Sequence, residues 1–122
     1  MDCVKKFDID CTVKHTITTK DIDDIMADAL EGGITYWCGR AEVIGDYLGE
    51  YASDQISRGG SLILYDLEDE DEHWTLDLNA FITGYTSSIE QGFWSGDFDN
   101  DYDSTVADAI IQLAVFGEIV FG

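Results

Sequence analysis

"SLILYDLEDEDEHWTLDL", residues 61–78, decides the fold. Two runs rich in leucine, isoleucine and aromatic residues, 61–67 and 73–78, flank five consecutive acids, Glu68, Asp69, Glu70, Asp71 and Glu72. The pattern predicts two antiparallel strands joined by an overlong, charged hairpin turn. Downstream, Asn79 is a candidate helix cap, and Phe81, Ile82, Tyr85 and Ile89 recur at helical spacing. "GFWSG" (92–96) breaks that helix. Asp103 or Ser104 caps a last one, with Val106, Ala109, Ile110, Leu113 and Ala114 as its apolar residues. "EIVFG" closes the sequence as a strand or an extended tail.

Upstream, "KFDIDCTVKHTIT" alternates apolar and polar residues, which predicts a half-buried antiparallel strand. His15 falls on its apolar face and is read as a partly buried core histidine. Thr19 is the expected N-cap of a helix carrying Ile22, Ile25, Met26, Ala29 and Leu30 and ended by Gly32-Gly33. Residues 34–60 hold a β-like run broken at Gly39 and a short helix with Leu48, Tyr51, Ala52 and Ile56 on one side. The element order predicts α+β: a small antiparallel sheet with helices packed on one face. With no Pro, no internal repeat and no Gly/Ser linker, residues 1–122 are expected to form a single domain.

Charge is the feature that stands above background. The chain carries 26 acids against 6 bases, a formal −20. A magnitude of roughly 2–8 suffices for the solubility of a small domain. All six bases lie in the first 58 residues beside 12 acids, giving −6; from residue 59 on there are 14 acids and no Lys or Arg, giving −14. Direct contact with nucleic acid or an anionic membrane is therefore disfavoured. Basic proteins or metal cations are the expected partners. Cys3, Cys11 and Cys38 form neither an even set nor a C-x-x-C, so they are read as reduced thiols of a cytoplasmic protein. There is no signal-peptide pattern and no apolar run of membrane-spanning length.

"DFDNDYD" (97–103) places an acid at every other position: Asp97, Asp99, Asp101 and Asp103. Such alternation suits two jobs. As a calcium loop, these residues take positions 1, 3, 5 and 7, with Thr105 at 9 and Asp108 at 12. Tyr102 then stands where the sharp turn wants Gly, and Asp108 where a longer Glu binds bidentately, so at most weak cation binding is expected, and no cofactor. As an extended ladder, alternate carboxylates would stand roughly 6.5–7 Å apart, a spacing that a phosphate-binding groove would accept. Together with Glu68–Glu72 and the helix acids Asp21, Asp23, Asp24, Asp28 and Glu31, the ladder would form one negative strip. A generic acidic surface, as in a salt-loving host, is the alternative source of this charge.

Catalysis has little support. There is no G-x-S-x-G, no phosphate-binding glycine loop and no H-E-x-x-H. His73 has acids beside it but no nucleophile, so an enzyme is not expected and a small enzyme using His73 ranks last. Arg58 is read as pairing with an acid or satisfying carbonyls. Tyr36, Trp37, Tyr47 and Tyr51 are assigned to packing. Phe93 and Trp94, set between two glycines beside the acid ladder, suit either a core plug or an interface anchor.

The stretches "ALEGGITYWCGRAEV" and "GEYASDQISRGGSLILYD" resemble a family of short, mostly uncharacterised proteins of bacterial viruses and prophages. The similarity covers roughly residues 20–85 and leaves out the acid ladder. It implies a viral origin and an accessory role in the infected cell. By size and charge alone the chain is also similar to anti-CRISPR proteins and other nucleic-acid mimics. The expectation is an inhibitor that binds a basic, nucleic-acid-binding host protein, a CRISPR effector being the most specific version. The partner-binding candidates are Glu68, Asp69, Glu70, Asp71, Glu72, Phe93, Trp94, Asp97, Asp99, Asp101 and Asp103. A divalent-cation protein using Asp97–Asp108 is the alternative.

Overall fold

In the computed structural model, which describes residues 14–122, the predicted hairpin is present. Strands β2 (Leu62–Asp66) and β3 (His73–Leu76) pair antiparallel, with Leu62 opposite Leu76 and Leu64 opposite Trp74. On the other side β2 pairs antiparallel with β1 (Cys38–Val43), so the sheet order is β1-β2-β3. The register slips between Cys38 and Arg40, a bulge at Gly39. This extra residue keeps Cys38, Ala41 and Val43 on the same face as Leu62 and Leu64 despite the break. The opposite face carries Arg40, Glu42, Ile63, Tyr65, His73 and Thr75 outward.

The hairpin turn is organised by its first acid. Asp66 accepts through Oδ2 from the amides of Glu68 and Asp69, both at 3.0 Å, and its own amide donates to the Glu72 carbonyl at 2.9 Å. An Asp that bonds the backbone two and three residues on is a turn former. It lets a run of five like charges double back without apolar support.

Three α-helices lie on the inward face. Helix α1 (Thr19–Asp28) buries Ile22, Ile25 and Met26. Its cap is Thr18 rather than Thr19, in a reciprocal box: Thr18 Oγ1 accepts from the Asp21 amide and Asp21 accepts from the Thr18 amide. Gly32-Gly33 does not stop the chain at once; a π turn, Ala29–Gly33, carries it further. A Cβ at Gly33 would lie 2.8 Å from the Ser104 carbonyl, so this turn needs glycine to pack on the start of α3 (Ser104–Phe116). Helix α2 (Leu78–Glu90) is capped by Asp77, two residues before the expected Asn79. It buries Phe81, Gly84, Tyr85 and Ser88, while Ile82 faces outward.

Helix α3 is buried from Val106 to Leu113, with almost no polar face, and is the hub of the molecule. At Gly84 the α2 backbone approaches it so closely that a Cβ would meet the Ile110 carbonyl oxygen at 2.4 Å. The predicted short helix within 46–60 is instead two 3₁₀ turns, Ala52–Asp54 and Ile56–Arg58, ended by Gly59 in the left-handed region. The predicted N-terminal strand lies largely outside the described residues. Its described end, residues 14–18, has no strand, and His15 is exposed rather than on a buried face. The tail after Phe116 is extended, with Phe121 stacked on Trp37 at 5.2 Å. Among the described residues no helix is long and apolar enough to cross a membrane.

Candidate acidic interaction surface

The segment 97–103 keeps its alternation but not its extension. Asp97, Asp99, Asp101 and Asp103 are all exposed, while Phe98 and Tyr102 turn inward onto Trp94, with ring centroids 5.0 and 5.6 Å away. The chain between them is a tight turn. The amides of Asn100 and Asp101 both donate to the Asp97 carbonyl at 3.2 Å. This corrects the expectation of an extended ladder: the carboxylates decorate a turn, and three of the four have a local task. Asp97 accepts from the Asp99 amide and the Asn100 side chain. Asp101 accepts from the amide and hydroxyl of Ser95, and Asp103 caps α3 through the Val106 amide.

Trp94 is the core plug and not the anchor. It is 3% exposed, packs edge-on against Tyr85, and its Nε1–H donates to Ser88 Oγ at 2.9 Å. An indole buried with its one donor satisfied has nothing left to offer a partner. Phe93, its neighbour, stays exposed. Gly92 and Gly96, both at positive φ, reverse the chain around this pair so that one ring goes in and the other out.

Asp108 is also placed differently from the calcium-loop alignment. It is buried, and accepts from the Tyr36 hydroxyl at 2.6 Å, Trp37 Nε1–H at 2.8 Å and Gln112 Nε2–H at 2.9 Å. Its carboxylate holds the segment after the π turn to α3, while Gln112 holds the tail through Val120 and Phe121. Burial, and then the carboxylate beside it, pushes the Tyr36 hydroxyl up to about 12. Among the described residues no three His, Cys, Asp or Glu side chains gather to hold a metal ion. The cation reading therefore gains no geometric support from the segment 97–108.

Tyr102 builds the surface, and nothing in the sequence singled it out. Its hydroxyl donates to Asp28 Oδ2 at 2.7 Å, tying the turn 97–103 to α1. Burial first, then Asp28, raises its pKa well above the usual tyrosine value. Two of the three acidic clusters thus meet: Asp24 and Asp28 on α1 stand beside Asp103 around one phenol. On the described residues of this face the basic groups are few. Lys20 is paired with Asp24 at 2.6 Å, and Arg58 reaches Asp23 at 3.4 Å while donating to the Asp54 carbonyl. The hairpin acids make no hydrogen bond or ion pair to these two clusters among the described residues. Among the described residues their hydrogen bonds and ion pairs run to one another, to Asp66 and to Arg40. His73, at the base of that hairpin, is exposed and packs edge-on against Tyr65.

Three expected packing residues are instead exposed: Tyr36, Tyr47 and Tyr51. Leu48, Tyr51, Ala52 and Ile56 read as one helix face, but residues 44–51 form no helix and the 3₁₀ turns begin only at Ala52, so that face does not exist. Comparison of the chain with protein-family models, curated proteins and solved structures finds no match. Fold and surface therefore carry the functional argument: an α+β protein with an acidic face centred on α1 and the turn 97–103.

Proposed function

We propose that this face binds a basic, nucleic-acid-binding protein of an infected bacterial cell and competes with that protein's DNA or RNA. The observation that carries the reading is the Tyr102–Asp28 bond, which merges two acidic clusters that are remote in sequence. Like charges disperse unless something holds them together. Here a partly buried phenol, itself packed on Trp94, holds them. The net −20 and the absence of Lys or Arg after residue 58 support a cationic partner. The resemblance of the central stretches to short phage and prophage proteins supports a viral accessory role, with a CRISPR effector as one target of the right chemistry. In this reading the mimic is a patch of carboxylates on a helix and a turn, which the shared Tyr102–Asp28 bond supports, and not the linear row first expected.

The test is competition. A host protein captured on the immobilised chain is purified and titrated with labelled nucleic acid in the presence of increasing amounts of this protein. The reading expects displacement that weakens steeply with salt, because the contacts are screened surface charges. A partner that holds this protein and its nucleic acid at the same time, without mutual loss of affinity, would refute it.

A further inference from the structure

Helix α1 has two flanks. Asp21, Asp24 and Asp28 follow at three- and four-residue spacing toward Tyr102, and Asp23, Ala27 and Leu30 follow on the other side. On that second flank an open groove of about 420 Å³ runs between α1 and the turn Ala52–Asp54. Its apolar lining comes from Ala27, Leu30 and Tyr51, and its acids include Asp24, Glu31 and Asp54. Among the described residues Glu31 takes no hydrogen bond or ion pair, whereas Asp23 is already engaged by Ser57 and Arg58.

The loop leading to Tyr51, the groove's rim, holds the densest run of exposed large apolar side chains among the described residues. Ile44, Tyr47, Leu48 and Tyr51 are 45, 60, 51 and 61% exposed within eight residues. Their backbone is fixed from below. Gln55, fully buried, accepts from the Leu48 amide and donates to the Tyr51 carbonyl, both at 2.7 Å. Asp54 accepts from the amides of Glu50 and Tyr51, both at 3.0 Å. A loop that buries a glutamine to hold its shape, yet leaves four large apolar groups in water, presents a preformed contact surface.

The chemistry of the occupant follows from the lining and from a parallel within the molecule. On the outer face of the sheet the Arg40 guanidinium sits 3.8 Å from the centroid of Tyr65, with Glu42 and Glu70 as its ion partners. An aromatic face between carboxylates is thus a setting this fold already uses for arginine. The groove offers the same parts, since Tyr51, Glu31 and Asp54 all line it. We infer that the groove and its rim dock an amphipathic basic segment of a partner protein, an Arg or Lys side chain entering the groove while adjacent apolar residues cover Tyr47 and Leu48. The aliphatic stem lies on Leu30 and Tyr51, and the cationic head meets Glu31. This rests on the reading of the partner as a basic protein, and adds to it the site where apolar contact secures what charge attracts.

A labelled eight-residue peptide of alternating arginine and leucine is the probe, measured by fluorescence anisotropy at physiological salt. Saturable binding to the parent is expected, with the tyrosine ring resonances of residues 47 and 51 shifting in the NMR spectrum. The paired variant Tyr47→Ser/Tyr51→Ser should weaken binding about tenfold, as truncated aromatic anchors do. Glu31→Gln should weaken it about threefold. Glu90→Gln/Glu118→Gln, which belong neither to the groove lining nor to the turn 97–103, should leave it within about twofold. All these positions are exposed, and circular dichroism confirms the fold of each variant. If the groove variants bind as well as the parent while Asp97→Asn/Asp99→Asn weakens binding, the groove inference is overturned and the basic-partner reading survives. If the parent does not bind the peptide saturably, the groove inference also falls, and the basic-partner reading is judged by its own competition experiment.

Discussion

Tyr102 and Asp28, 74 residues apart in sequence, are joined by a 2.7 Å hydrogen bond from phenol to carboxylate. The bond connects a turn whose side chains are mostly charged to the one helix that shares its charge. Tyr102→Phe keeps the ring against Trp94 and Phe98 and removes only this link. Since Asp28 is exposed, the loss should be about 1 kcal/mol, below the range for buried charged bonds. Urea denaturation measures it. The variant should also bind its partner less tightly, because the two acidic groups are no longer fixed to each other.

Asp108→Asn tests a carboxylate that receives three donors from side chains. The amide supplies one acceptor and brings an NH₂ toward groups that themselves donate. A buried polar group left facing a donor costs about 1–3 kcal/mol, and more where a charge was removed. A loss near the top of that range is expected in the urea midpoint. It should be the same with and without calcium, since this side chain is committed to Tyr36, Trp37 and Gln112. Stability lost only when calcium is present would instead restore Asp108 to a cation site.

Gly84→Ala sets propensity against packing. Alanine in a helix interior gains about 1 kcal/mol over glycine. Here its Cβ would lie 2.4 Å from the Ile110 carbonyl oxygen and 2.6 Å from the Ala114 amide nitrogen. Both are backbone atoms that cannot rotate away, so α2 and α3 must separate along their contact. Overpacking of this kind costs about 1–3 kcal/mol and occasionally more. A net loss of about 2 kcal/mol is expected, and a variant more stable than the parent would show that the two helices do not meet as described.

Alkaline pH should unfold the protein earlier than its carboxylates alone suggest. The Tyr36 pKa is pushed up to about 12, and Tyr102 is raised as well. The folded state therefore holds these protons more tightly than the unfolded chain does. Their stabilising contribution is complete below about pH 10, the ordinary tyrosine value, and is lost as pH rises through the folded values. The urea midpoint should fall between about pH 10 and 12. Tyr36→Phe should be less stable at pH 8 yet lose less over that interval. A parallel decline in parent and variant would remove Tyr36 from the account.

What the sequence showed of the fold was what local pattern controls. The hairpin, α2, α3 and the Asp103 cap follow from periodicity and capping within a few residues of one another. The caps at Thr18 and Asp77 fell one and two residues early, because several neighbouring residues could serve and the start of burial chooses among them. The Gly39 bulge and the π turn at Ala29–Gly33 were not legible, since each answers to a partner far along the chain, Leu67 and Ser104 respectively. The site divides in the same way. Alternation placed the four aspartates outward, but the inward fate of Trp94 depends on Ser88 and Tyr85, and that of Asp108 on Tyr36 and Trp37. The Tyr51 rim could have been suspected from an aromatic-rich loop between two glycine breaks. The assumption that large aromatics pack inward concealed it.

The four aspartates of the turn are not equivalent, and this gives the acidic-face proposal its sharpest test. Asp101 holds Ser95 by two bonds, and Asp103 caps α3, so Asp101→Asn/Asp103→Asn alters structure as well as charge. Asn still serves as a cap, but it cannot accept from Ser95 as a carboxylate does; about 1 kcal/mol of stability should be lost. Asp99 accepts no hydrogen bond among the described residues, and Asp97→Asn keeps an acceptor oxygen for the Asp99 amide, losing only its exposed bond from the Asn100 side chain. Asp97→Asn/Asp99→Asn should therefore fold as well as the parent or slightly better, because two repelling charges are removed. Each pair subtracts the same charge. If the face acts through its summed field, both pairs should slow association with the captured partner to a similar extent, with a shallower salt dependence and little change in dissociation. If contacts made by individual carboxylates dominate, the pairs should differ mainly in dissociation rate. Surface plasmon resonance at several salt concentrations separates the two. An association rate that neither pair changes would mean that the turn 97–103 takes no part in attracting the partner.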